Sequence, residues 1–232
     1  MRQAAFRLVA LALIAAASAA CKEHDPATAR AALDEQMAPA RTLEQTFQRI
    51  HAQLGTLEPG PCSDLTIRSA IAQSQSRKVP FIDASALALT AKGAPVDPKL
   101  PLARFVSKVL LDRRATGAVT DQQSATDAAF DALTLTKGHD FLAAIRYEFR
   151  APKADDQGFH GGELKGTLGL FELRSGKLVC AAPVFAQSHE EIAAKPGQTP
   201  QEAAATDLEL ESRRALHEAF AGMTSELNLD LG

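Results

Sequence analysis

Tryptophan is absent from this 232-residue chain, tyrosine occurs once, and aromatic residues make up only 5% of it. A surface that stacks bases or sugars needs flat rings, so this shortage argues against such a platform. Cations are not in excess either. Twenty-five lysines and arginines face 28 acids, and discounting Arg2 and Arg7 of a removable leader leaves 23 against 28, a formal charge of −5. Nucleic-acid binding rests on clustered cations that neutralise phosphates, and this balance disfavours it. There are three cysteines and no Cys-x-x-Cys pair, which disfavours a thiolate metal site. No uncharged apolar run reaches the roughly 20 residues of a membrane-spanning helix. What the chain does have is a hydrophobic fraction of 46%, ordinary for a globular protein. Its length suffices for one sizeable domain that buries roughly 70% of its unfolded surface.

Two arginines precede thirteen uncharged and almost wholly apolar residues at 8–20. A basic front, a short apolar middle and the small side chains of Ser18, Ala19 and Ala20 predict a secretory signal peptide over 1–20. Cys21 follows directly. Small residues immediately before a cysteine at the end of such a leader resemble the lipobox of bacterial lipoproteins. Ala19, Ala20 and Cys21 match it, while Ser18 stands where leucine is usual. The resemblance implies that the Cys21 thiol receives a diacylglycerol, that the leader is removed, and that the new amino terminus is acylated. The lipid bilayer then becomes the partner. At about 0.8 kcal/mol per buried methylene, two or three acyl chains hold durably without a spanning helix. In that family an aspartate just after the cysteine favours the inner membrane; Lys22 occupies that place here and points to the outer membrane, facing the periplasm. Ordinary cleavage after Ala19 or Ala20 would instead release a soluble protein with a free thiol.

If Cys21 carries lipid, Cys62 and Cys180 are left as an even pair in an oxidising compartment, and a Cys62–Cys180 disulfide is expected. The alternative is two separate buried thiols acting as small apolar residues.

The expected organisation is a signal peptide at 1–20, a lipidated tether at 21–28 and a single α+β domain over 29–232. Asp25-Pro26 suits a helix start, which Pro39 interrupts or restarts. Leu43, Phe47, Ile50, Leu54 and Leu57 recur at helical spacing, and 58–61, Glu-Pro-Gly-Pro, stops that helix. Residues 64–75 are ambiguous, and 79–82 read as extended. Asp83 is the expected cap of a helix over 84–91 with Gly93 near its end. Another apolar stripe runs through Leu102, Phe105, Val106, Val109 and Leu110, and Ser124 is the expected cap of a short helix to 133. From 141 to 150 the period changes to two, with Phe141, Ala143, Ile145, Tyr147 and Phe149 on one face of a half-buried strand. Strands at 163–173 and 177–187 follow, joined at Ser175-Gly176, with Pro183 indicating an edge or a bulge. Thr199-Pro200-Gln201-Glu202 opens a last helix whose stripe is Leu216, Ala219, Phe220, Met223 and Leu227. The fold expected is α+β: a small antiparallel sheet of three or more strands flanked by helices, with long helices at both ends.

Motifs that carry chemistry are scarce. The segments starting at His189 and His217 begin like a zinc-protease helix but place Ala193 and Ala221 where the second histidine belongs. Gly176-Lys177 lacks the hydroxyl residue of a phosphate loop, and no Gly-x-Ser-x-Gly elbow occurs. The acids Asp207, Glu209 and Glu211 read as a solvated helix face or as a patch for a basic partner. No catalytic residue, metal or cofactor is therefore expected. The leading expectation is a membrane-anchored lipoprotein whose domain is a non-catalytic interaction or scaffolding module. Its rivals are a carrier for a small apolar ligand, and an enzyme whose polar site gathers His139, Asp140 and His160 around the 151–162 loop.

Overall fold

The computed structural model describes residues 26–60, 69, 71, 74, 76–155, 158–189, 192 and 194–232. Its contacts delimit two compact units, Met1–Gln36 and Met37–Gly232. The first contributes one described helix, α1 (Pro26–Gln36). Cys21 and Cys62 lie outside the described residues, as does most of the ambiguous 64–75 stretch.

The second unit opens with α2 (Ala38–Leu54), which carries Pro39 in its first turn, where a missing N–H costs nothing. Leu43, Phe47, Ile50 and Leu54 are buried along one face, each worth about 1.5–3 kcal/mol of removed apolar surface. The helix stops at Leu54 rather than Leu57, because Thr56 and Leu57 donate to Gln53 and Leu54 in a tightened last turn. Leu57 is buried all the same, from a loop.

Strand β1 (Lys78–Asp83) leads into α3 (Ala84–Thr90). Asp83 caps that helix as expected, accepting from the amides of Ser85 and Ala86. The apolar stripe at 102–110 is not one helix. It divides into a 3-10 turn (Ala103–Phe105) and a short α4 (Lys108–Leu111). Between them Ser107 is drawn to β1: its amide donates to the Phe81 carbonyl at 3.0 Å and its hydroxyl accepts from the Phe81 amide at 2.7 Å. A long-range pairing overrides the local helical period. Helix α5 runs over Gln122–Gly138, longer than expected, and its cap is Asp121, which accepts from both the amide and the hydroxyl of Ser124.

Strand β2 (Phe141–Arg150) is followed by a small hairpin, β3 (Lys153–Asp155) and β4 (Gly158–His160), inside what reads as a polar loop. Strands β5 (Glu163–Glu172) and β6 (Leu178–Gln187) turn through Gly176 at φ +70°, a conformation that glycine adopts without cost. Helix α6 (Pro200–Met223) carries the complete capping box predicted from Thr199 and Glu202, and β7 (Asn228–Asp230) ends the chain.

The fold is α+β, with six helices among the described residues and, in the second unit, a curled five-stranded sheet in the order β6-β5-β2-β1-β7. The expected antiparallel strands β2, β5 and β6 form one side. Two further strands extend it in parallel, β1 on β2 and β7 on β1, so the sheet is mixed. Pro183 lies on the edge strand β6, where a missing N–H is tolerated. Leu142 and Ala144 of β2 pack with the side chains of α2, α3 and α5, whereas Phe141, Ala143 and Ile145 pack with Leu216, Phe220 and Met223 of α6. The first half of β2 is therefore buried on both faces, not half-buried. Beyond Ile145 the first helical layer ends, and Arg146, Glu148 and Arg150 are exposed. Gly166 of β5 passes so close to the Arg146 carbonyl that a Cβ there would collide with it.

Candidate functional site

The register settles where the residues of the enzymatic alternative lie. Phe141 pairs with Glu172 and Arg150 with Glu163, so the strands run side by side for ten residues, roughly 30 Å. His139 and Asp140 precede Phe141 at one end of that ladder; His160 precedes Glu163 at the other. The three do not converge. The Nδ1 of His139 lies 3.0 Å from the Lys78 carbonyl, and the Asp140 carbonyl accepts from the Leu173 amide at 2.8 Å.

The other chemical candidates are likewise held in structural contacts. His189 is in the loop after β6, not on a helix; its amide donates to Asp207 at 2.7 Å and its ring nitrogen lies 3.0 Å from the same carboxylate. Glu209 pairs with Arg104, and Glu211 with Arg214. Each acid of the suspected acidic patch thus has a named partner. His217 is exposed on α6. Among the described residues no group of three or more His, Cys, Asp or Glu is placed to hold a metal ion. Cys180 is buried against the α6 layer and is disulfide-bonded. The segment leading to Cys62 runs beside it, because the Gly60 amide donates to the Ala181 carbonyl at 3.2 Å.

Sequence reasoning missed a polar cleft of about 380 Å³ beside α2. Arg41, Glu44, Gln45 and Gln48 of the helix form one wall, and Lys92, Thr116 and Gly117 from two turns form the other. Glycine lets the two turns approach closely. Gly93 has φ +68°, and a Cβ on it would collide with the Thr116 hydroxyl; its carbonyl accepts from the Gly117 amide at 3.0 Å. This close turn pairing lets Thr116 donate its hydroxyl to Glu44. Behind Glu44 stands Arg113, its side chain only 2% exposed, with Nη1 3.8 Å from the carboxylate. Arg113 also donates to the Thr90 carbonyl at 3.2 Å and lies over the Phe47 ring at 5.7 Å. Its Nε and Nη1 have no hydrogen-bond acceptor. Burial pulls the Arg113 guanidinium below its ordinary range, while the charges of Glu44 and Asp131 work to keep it protonated.

A second polar feature lies at the carboxyl ends of β1 and β2. Asp83 is fully buried; one carboxylate oxygen caps α3 and the other has no hydrogen-bond partner. Burial pushes its carboxyl up, against the pull of the backbone amides it caps. Burial, reinforced by the Asp83 charge, also raises the Tyr147 phenol, and a backbone contact at Leu102 opposes both. On the open half of the sheet, Leu57, Arg146, Glu148, Lys165 and Thr167 line a shallow depression of about 270 Å³. Its neighbouring charges are ordered across strands, with Arg150 donating to Glu163 at 2.8 Å.

No protein-family model, curated protein or solved structure matches this chain. The cleft therefore has to be read from its own residues. No linear motif could have disclosed it, since Glu44, Lys92 and Arg113 are far apart in sequence and each has an ordinary local setting.

Proposed function

We propose that the chain is a bacterial envelope lipoprotein, moored to a lipid bilayer through an acylated Cys21, whose folded domain works by binding rather than by catalysis. The observation that carries the reading is the leader: a basic front, thirteen uncharged residues, then Ala19-Ala20-Cys21. Support for the non-catalytic part comes from where the reactive side chains are spent. Asp83 caps a helix, His139 contacts a strand carbonyl, and His189 ties a loop to α6. His160 lies at the far end of the sheet from His139 and Asp140, so the particular group on which the enzymatic alternative would draw is not brought together. An apolar carrier needs a cavity with apolar walls; both depressions described above have charged ones.

The anchor is tested by fractionation. Replacing Cys21→Ala should move the protein from the detergent phase to the aqueous phase and abolish incorporation of labelled fatty acid. Unchanged partitioning, or label retained on the variant, overturns lipid attachment at this thiol.

A further inference from the structure

We propose that the free edge of β6 pairs with the β6 edge of a second copy of this chain, antiparallel and centred on Phe185. The proposal names a partner for the binding reading above, on which it rests, and needs no lipid anchor. Two backbone bonds fix which way the strand faces. The Ser188 amide donates inward to the Gly162 carbonyl at 3.1 Å, and the Ala181 carbonyl accepts from the Gly60 amide at 3.2 Å on the outer side. Successive residues of an antiparallel strand turn their backbone groups to opposite sides, so those of Pro183, Phe185 and Gln187 point outward. Among the described residues nothing pairs with these outward groups. Gly60 closes the edge at Ala181, and beyond Gln187 the chain leaves it, because the His189 amide donates to Asp207 at 2.7 Å. The open edge therefore runs from Pro183 to Gln187 and has Phe185 at its midpoint.

That stretch is complementary to itself. With Phe185 opposite Phe185 of the second copy, the two residues exchange N–H and C=O bonds. Gln187 then falls opposite Pro183 of the second copy and donates its N–H to that carbonyl. Every outward N–H of both copies is used, and the proline, which has none to give, is met by a donor. The Gln187 carbonyl at each end stays open to water. A longer seam would run into Gly60, so the pairing stops where the free edge stops. The side chains agree with the backbone. A two-fold seam sets its central residue against itself, where like charges would repel. Here all three seam residues are uncharged, and the central one is a phenylalanine left 58% exposed. Lys165 neighbours Phe185 on the inner strand β5, away from the seam. Pairing therefore brings two water-exposed rings together on the open half of the sheet. Of the devices that blunt a free edge (charge, bulge, proline, a covering segment), this stretch carries only Pro183 at its end; the bulge at Leu170/Phe171 lies before it.

Disulfide trapping on the full chain, purified in detergent, tests both the pairing and its register. The Cα atoms of a hydrogen-bonded antiparallel pair are about 5.5 Å apart, within disulfide reach. Phe185→Cys should therefore give a reductant-sensitive dimer under mild oxidation. Gln187→Cys should stay monomeric, because its two copies would lie about 13 Å apart along the seam. Pro183→Cys combined with Gln187→Cys should trap again. Adding Phe185→Lys to that double variant sets two like charges at the centre and should slow trapping about tenfold. Phe185 and Gln187 are exposed, so their single variants should melt with the parent. No cross-linking of Phe185→Cys beyond that of the parent overturns the proposal, and an edge that takes a foreign strand instead gives this result. Equal cross-linking of Gln187→Cys, the mark of random collision in a shared micelle, overturns it too, as does undiminished trapping after Phe185→Lys. None of these outcomes alters the fractionation of Cys21→Ala, so failure of the pairing and failure of the anchored-binding reading are seen separately.

Discussion

At the scale of the residue, Asp83 holds one carboxylate in two unlike settings. One oxygen accepts from the amides of Ser85 and Ala86 at the start of α3, and the other is buried without a partner. Capping favours the charged form and burial opposes it; burial is the larger, and the carboxyl is raised. The folded state therefore holds this proton more tightly than the unfolded chain, whose aspartates titrate near ~3.9. The contribution to stability is complete below that value and is lost as pH rises through the elevated folded value. Asparagine caps a helix about as well as aspartate and cannot ionise. Asp83→Asn should accordingly gain on the parent as pH is raised from about 4 to about 7, measured by urea midpoints across that range. Parallel profiles for the two proteins would show that Asp83 ionises in the fold without penalty. The reading depends on the slope alone, so a constant offset from the new amide does not disturb it.

At the scale of the element, periodicity and capping chemistry were legible wherever packing agreed with them. The stripe Leu43, Phe47, Ile50, Leu54 marks the buried face of α2, and Gly176 marks the hairpin of β5 and β6. Illegible elements share a physical cause. Val106 and Ser107 interrupt the stripe at 102–110 because Ser107 pairs with Phe81 and its hydroxyl reaches the Asp230 carbonyl, bonds that no local pattern encodes. Ser124 has a cap's side chain but sits inside the first turn of α5, since Asp121 three residues earlier accepts its amide. Helix α6 is the opposite case. Thr199 accepts from the Glu202 amide at 3.2 Å, and the Glu202 carboxylate accepts from the Thr199 amide at 2.8 Å. The Thr199 amide, together with the Thr199 hydroxyl that donates to the same carboxylate at 2.9 Å, holds the Glu202 carboxyl below its usual range. Thr199→Ala removes the hydroxyl and should cost about 1 kcal/mol. Ala203, Ala204 and Leu208 anchor the following turns, so the loss should be local. Hydrogen exchange should quicken over 200–206 and stay unchanged from Leu216 to Met223. Acceleration along the whole helix would mean that the cap governs docking rather than the first turn.

At the scale of the molecule, the antiparallel side of the sheet could be read because its strands are neighbours in the chain. The parallel side could not. Pairing β1 with β2 requires a crossover through α3, α4 and α5, and β7 contributes three residues from the far end of the chain. The cleft was invisible for the same reason, since Glu44 meets Arg113 only after that crossover has packed on α2. One covalent link bears on all of these layers. Cys180 is disulfide-bonded, and the Gly60 amide bonds to Ala181, which brings the segment before Cys62 alongside β6. We expect Cys62 to be its partner. Such a bridge would join the exit of α2, which covers one face of the sheet, to a strand whose Cys180 side chain packs on the other face. It would close a loop of about 120 residues and, through lost freedom of the unfolded chain, stabilise by about 4–5 kcal/mol. Reduction should raise the intact mass by two hydrogens and lower the urea midpoint, and Cys62→Ala should reproduce that drop without further response to reductant. Because β6 is an edge strand held on one side by β5, its amides should show the largest increase in exchange. A mass unchanged by reductant would sink the bridge, and a Cys62→Ala protein that still responds to reductant would assign Cys180 a different partner; either outcome leaves α2 tied to the sheet by packing alone.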